Sequence, residues 1–290
     1  MKKSLKPMNL AGLVLFSALT FTACSEDETT TEEIFTDAEV ITSAQLQYSD
    51  ESEQMSDEIA EIAEDVYVSD ELSVTSKGTY LSDYLPDCVT VTTVETDTTK
   101  EKTIDFGEGC ELRNGNVLSG IIKLSYALDM EAASKNITLE LENFTFNAVT
   151  IEGGASILRV RSNENGNPQS TATRNYSATW PDGETASFSG NRTREWIEGF
   201  GTGFWGDNVF LITGNGTFTN KAGNTWTKTV TIPLRREMAC RFLVSGVLEI
   251  SRNDATASLD FGDGSCDAKG VLTKPDGSAE EVFLRRFFKD

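Results

Sequence analysis

Ile122-Lys123-Leu124-Ser125-Tyr126-Ala127-Leu128-Asp129 decides the fold. Apolar side chains stand at every second place, with Lys123, Ser125, Ala127 and Asp129 between them. A strand turns successive side chains to opposite faces, so the alternation predicts a strand with one dry and one wet face. Ile137, Leu139 and Leu141 repeat the pattern, and Phe144, Phe146 and Ala148 continue it on the opposite parity. The one-residue slip at Glu142-Asn143 predicts a β-bulge. From Leu72 onward the chain keeps this texture, with Thr, Val, Ile and aromatic residues alternating with polar ones. Tight reversals are marked at Arg113-Asn114-Gly115, Pro181-Asp182-Gly183, Lys221-Ala222-Gly223, Asn253-Asp254 and Pro275-Asp276-Gly277. About a dozen strands joined by short hairpins follow. The expected fold is mainly β: an antiparallel meander over residues 71–290, packed as a sandwich or a curled sheet.

Upstream of this domain the period changes. Ala38, Ile41 and Ala44, then Met55, Ile59, Ile62 and Val66, recur at three- and four-residue steps. That spacing predicts one or two amphipathic helices, the second over about 56–66, with Asp37 and Ser56-Asp57 as N-caps. Asp50, Glu51 and Glu53, lying between them, read as a solvated face. Residues 37–70 are thus expected to form a short acidic helical lead to the β domain.

Two segments repeat. Ile104-Asp105-Phe106-Gly107-Glu108-Gly109-Cys110 matches Leu259-Asp260-Phe261-Gly262-Asp263-Gly264-Ser265-Cys266. Each closes a stretch that opens with a cysteine, Cys88 in one and Cys240 in the other. Four cysteines allow three pairings. The repeat favours Cys88 with Cys110 and Cys240 with Cys266, each bond stapling its own hairpin. The acids and glycines of the repeat invite a calcium reading through Asp105, Glu108, Asp260 and Asp263, but the spacing of an EF-hand loop is absent. Turn chemistry explains them better. Phe106 and Phe261 face the core, the glycines take positive φ and the acids cap the turn. No metal or cofactor is expected.

Composition narrows the function. The chain of 290 residues has no histidine and a formal charge of −21. Absence of histidine excludes a Ser-His-Asp triad, a Cys-His pair and zinc sites with His ligands. The negative charge repels nucleic acid phosphates, so no nucleic-acid partner is expected.

The N-terminus carries an address. Lys2, Lys3 and Lys6 precede an apolar run from Leu10 to Phe21, and Thr22-Ala23 stand before Cys24. A basic start, a short apolar core and small residues describe an export signal over residues 1–23. Its loss removes three lysines and no acid, taking the charge from −21 to −24. Thr-Ala-Cys resembles the lipobox of bacterial lipoproteins, with Phe21 in place of the usual Leu. The resemblance implies that Cys24 is acylated, with palmitate-type chains, and becomes the mature N-terminus. Residues 24–36 then form an acylated cysteine and a flexible acidic tether.

Together, Cys24, residues 104–110, Thr179-Trp180-Pro181-Asp182-Gly183, Thr193-Arg194-Glu195-Trp196 and residues 259–266 resemble a group of uncharacterised Bacteroidota-type surface lipoproteins. The likeness implies lipid anchoring in the outer membrane and carries no activity. Ser25-Glu26-Asp27-Glu28 is similar to the acidic signal that sends such proteins to the outer face, and Asp97-Thr98-Thr99 to their O-glycosylation sequon.

Three functions compete. The first is a non-catalytic surface module that binds a glycan or a surface protein. Its best feature is residues 195–206, where Trp196, Phe200, Phe204 and Trp205 are interleaved with glycines as a sugar-stacking platform would be. Against this, large aromatics most often fill cores. The second is a structural component of a fimbria or surface complex, joined by strand addition. The third is a glycan-active enzyme with two carboxylates; no pair of acids stands out, and no catalytic constellation is recognisable.

Overall fold

The computed structural model describes residues 40–76 and 82–284. Cys24, the tether, Asp37 and Ala38 lie outside the described residues. Fourteen strands follow one helix: α1 (Ser43–Ser76), β1 (Thr90–Glu95), β2 (Thr99–Asp105), β3 (Cys110–Glu111), β4 (Val117–Ala127), β5 (Ser134–Phe146), β6 (Val149–Val160), β7 (Gln169–Thr179), β8 (Thr185–Glu198), β9 (Val209–Asn220), β10 (Thr225–Glu237), β11 (Leu243–Arg252), β12 (Ala255–Asp263), β13 (Lys269–Thr273) and β14 (Ala279–Phe283). They form a single antiparallel sheet in chain order, with only β3 off the path, paired to β4. The meander is therefore a curled sheet rather than a sandwich of two, and β1 and β14 stay unpaired with each other.

The expected reversals all fall between strands. The bulge is present: register slips between Glu140 and Phe144, and Asn143 has φ +49. Gly120 on β4 faces it, where a Cβ would stand 2.2 Å from the Asn143 carbonyl oxygen. Only glycine fits there, and the sheet can bend at that point. On β8, a Cβ on Gly190 would meet the Asn215 carbonyl oxygen at 2.2 Å, so β8 and β9 also close tightly. Ala148 corrects the reading: it does not continue a strand but is exposed in the two-residue β5–β6 turn with Asn147, both at positive φ. Both bridges form as expected, Cys88–Cys110 and Cys240–Cys266. They bracket the matched hairpins β1–β2 and β11–β12. Phe106 and Phe261 are buried, and Asp105 and Asp260 accept the Gly107 and Gly262 N–H groups at 2.8 and 2.9 Å.

Helix α1 departs furthest from expectation. It is one element of 34 residues, not a lead of one or two short helices ending near residue 70. Thr42 caps it, accepting the Gln45 N–H at 3.2 Å; Ser56 and Asp57 lie mid-helix and cap nothing. Between Ser49 and Val68 only Asp57 and Ala60 are even partly open to solvent, whereas Ala44 is exposed. Asp50, Glu51 and Glu53 are buried, so the solvated-face reading is wrong. The helix is the core around which the sheet curls.

A helix with ten acids and no base would not ordinarily enter an interior, because an uncompensated buried charge is costly. The sheet supplies the opposite charge from its inner face. Glu53 accepts from Arg174, Arg192 and Lys228. Glu61 pairs with Arg194 and Arg236 at 3.2 and 3.1 Å, and Glu64 with Arg159 at 2.7 Å. Glu71 holds Arg159 and Arg161, each at 3.1 Å, and Asp70 holds Lys102 and Lys100 at 2.8 and 3.0 Å. Burial alone would push the Glu53 carboxyl up, but Arg174, Arg192 and Lys228 outweigh it and hold it well below the usual carboxylate range. Apolar packing fills the gaps, with Met55, Ile59 and Ile62 against the inward side chains of the strands. Among the described residues no helix is long and apolar enough to cross a membrane.

Candidate functional site

The curl brings distant parts of the chain together at one open cleft. Its walls are Asp83 and Tyr84 ahead of β1, the β3–β4 turn with Arg113 and Asn114, the β8–β9 loop with Phe204, Trp205 and Gly206, and the end of β10 with Arg236 together with Met238, Arg241 and Phe242 after it. Cys266, bridged to Cys240, braces the last wall. Arg241 Nη2 spans the gap and donates to the Asn114 carbonyl at 2.7 Å. The cavity measures about 560 Å³, within the range of small-molecule sites. Two hollows beside α1 hold about 20 and 10 Å³, room for a water molecule at most.

The β8–β9 loop is built to present a ring. Gly199, Gly201 and Gly203 all have positive φ, which lets the chain double back. A short 3₁₀ turn, Trp205–Asp207, ends it. The Phe204 ring lies over Gly206, where a Cβ would stand 2.8 Å from its Cζ atom. Its other face is open: Phe204 is 59% exposed. Asp83 ties the loop down, accepting the Trp205 backbone N–H at 2.7 Å, and Arg113 approaches the other oxygen of Asp83 at 3.4 Å.

Behind the cleft, Glu58 on α1 anchors two walls at once. It accepts the Tyr84 hydroxyl, and it accepts the Asn114 and Asn116 side-chain N–H groups at 2.8 and 3.2 Å. Burial, and next the Glu61 charge, push its carboxyl up to about 7, against the pull of Tyr84, Arg236 and Asn114. Asp65 is also raised to about 7, by burial first, with the charges of Asp83 and Glu64 adding and Ser82 opposing. Neither carboxyl lines the cleft, so their raised values belong to the packing of α1.

The four aromatic residues singled out in the sequence divide. Trp196 is 1% exposed and Trp205 5%. Trp196 packs edge-on against Phe200 and Trp205 at centroid distances of 5.0 and 5.6 Å, and its indole donates to the Glu198 carbonyl at 2.7 Å. Trp205 lies against Tyr84 at 4.6 Å. These two rings are core and offer no open face, which corrects the four-ring platform. Phe200 is partly exposed but lies away from the cleft, with the Arg159 guanidinium 5.7 Å from its centroid. Of the four, Phe204 and Trp205 line the cavity, and of these two only Phe204 is exposed. The sequence reading missed Asp83, Tyr84, Arg113, Asn114, Arg236, Arg241 and Phe242. Their one visible signal was arginine in an otherwise acidic chain.

Of Asp97-Thr98-Thr99, Asp97 and Thr98 stand exposed at the tip of the β1–β2 hairpin, and Thr99 opens β2 half-buried. Among the described residues no three acidic or cysteine side chains gather as metal ligands. Comparison with protein-family models, curated proteins and solved structures gives no match.

Proposed function

We propose that the chain is a lipid-anchored surface module that binds a ligand in the cleft and performs no chemistry on it. The supporting observation is the open ring of Phe204 at the mouth of a cavity of about 560 Å³. A large exposed ring on a tied-down loop is surplus to the core and suits a binding surface. Anchoring rests on Cys24 and the signal ahead of it, and outward exposure on the acids that follow. More than one acyl chain is needed for stable attachment. Metabolic labelling with a fatty acid tests the anchor: label should be lost in Cys24→Ser, and retained label refutes it. Replacing Glu26, Asp27 and Glu28 with Ala should keep the label and shield the protein from protease on whole cells.

A second reading, a component of a surface assembly, is favoured by β1. All six of its residues are exposed, and β2 is its one strand partner among the described residues. Such an edge can accept a further strand. A monomer at all concentrations in solution, with no ladders on the cells, would exclude it.

A further inference from the structure

We infer that the ligand of the cleft is an acidic saccharide, held by carboxylate groups on the arginines and by a ring face on Phe204. The inference rests on the binding-module reading above.

Charge carries the first step. The chain as a whole is at −21, yet among the described residues the cleft wall holds three guanidinium groups, those of Arg113, Arg236 and Arg241, against one carboxylate, that of Asp83. A local excess of cations inside a strongly anionic molecule attracts an anion to that point and repels it elsewhere. The three arginines are not equivalent. Arg236 is buried and turned inward, spending its donors on Glu61 and on the Glu237 and Cys240 carbonyls. Arg241 is held across the gap by the Asn114 carbonyl. Arg113 has a side chain 62% exposed and, among the described residues, a single ion pair at 3.4 Å, long for a charge-assisted hydrogen bond. Its fork is therefore the group best placed to take a ligand, with Arg241 adding charge from the opposite wall.

Shape carries the second step. A planar fork matches a carboxylate through two parallel hydrogen bonds, which a compact ammonium does not. Among the described residues no lysine lines the cleft. Phe204 and Phe242 add flat apolar area, and Asp83 and Asn114 add acceptors for hydroxyl groups. A purely apolar ligand would strip water from the Arg113 fork and leave it only its long pair with Asp83. A sugar ring bearing a carboxylate answers all three features, stacking on one side and pairing on the other.

Isothermal titration with two probes, a galacturonate trimer and a galactose trimer, tests this on the processed chain carrying Cys24→Ser. The acidic trimer should bind at least ~10-fold tighter than the neutral one, and added salt should weaken it. Arg113→Gln should cut acidic binding by ~10-fold or more and leave the melting temperature in place. Phe204→Ala should weaken both trimers equally. Equal binding of both trimers with an indifferent Arg113→Gln overturns the acidic ligand and leaves the binding cleft standing. Failure of both trimers, together with a broad glycan array blank for wild type and for Phe204→Ala, overturns the inference and the binding-module reading together.

Discussion

Glu53→Gln is the sharpest perturbation of the interior. One carboxylate there serves Arg174, Arg192 and Lys228, all buried. Glutamine keeps the shape and one acceptor but removes the charge, so three interior cations lose their shared partner. Breaking a buried ion pair from one side costs about 3–5 kcal/mol. The loss does not triple. Asp57 stands 3.9 Å from Arg174, and the Lys228 ammonium is the easiest of the three to relieve, since burial already draws its pKa down and Arg192 and Arg174 add to that against the Glu53 charge. A net loss of about 4 kcal/mol would lower the melting temperature by roughly 8–16 °C in a domain of this size. Calorimetry at pH 7 reads it directly. The control is Glu142→Gln, which breaks the pair with Lys123 on the outer face, half-exposed on both sides. That variant should melt with wild type, because solvated pairs contribute little. The effect also has a sign in pH. The Glu53 carboxyl is held below its unfolded value, so its contribution is present above about 4.5 and is lost as pH falls through the lowered value. Equal, small shifts in the Glu53 and Glu142 variants would refute an acidic helix paired inside the sheet.

Other outcomes follow from the same geometry. Trp196→Ala empties a fully buried indole site and should cost ~3–5 kcal/mol in urea titration, whereas Phe204→Ala should leave stability nearly unchanged. The Glu58 carboxyl is raised from 4.5 to about 7, so the stability it contributes is complete below pH 4.5 and disappears as pH rises through 7. Glu58→Gln should therefore gain on wild type by about 3 kcal/mol between pH 5 and 8, read as the difference between two stability–pH curves; parallel curves would deny the raised value.

Much of the sheet was legible because its signals are local. Alternation along residues 122–129 needs only neighbours, and so do the glycine turns and the slip at Glu142-Asn143. The cysteine pairing was readable because two hairpins carry the same closing segment. The position of α1 was not, since an acidic helix reads as solvated unless its cations are found. They are scattered one or two to a strand, yet they sit on the apolar parity. In β7, Arg174 falls in the buried series Ser170, Ala172, Tyr176 and Ala178. In β8, Arg192 and Arg194 fall in line with Ala186, Phe188 and Trp196. Arginine at core parity implies a buried counter-charge, and the helix acids supply it. The cleft was illegible for a different reason: four segments spread from Asp83 to Phe242 meet only because the sheet curls, and no local pattern encodes that meeting.

Native-state hydrogen exchange on the full chain tests the central claim most directly, that the sheet and its cleft are organised around a buried α1. Backbone amides from Glu53 to Tyr67 should exchange as slowly as those of β8 and β9, through global unfolding alone. Exchange of these helix amides within minutes, while β8 and β9 stay protected, would place the helix outside the fold and contradict it.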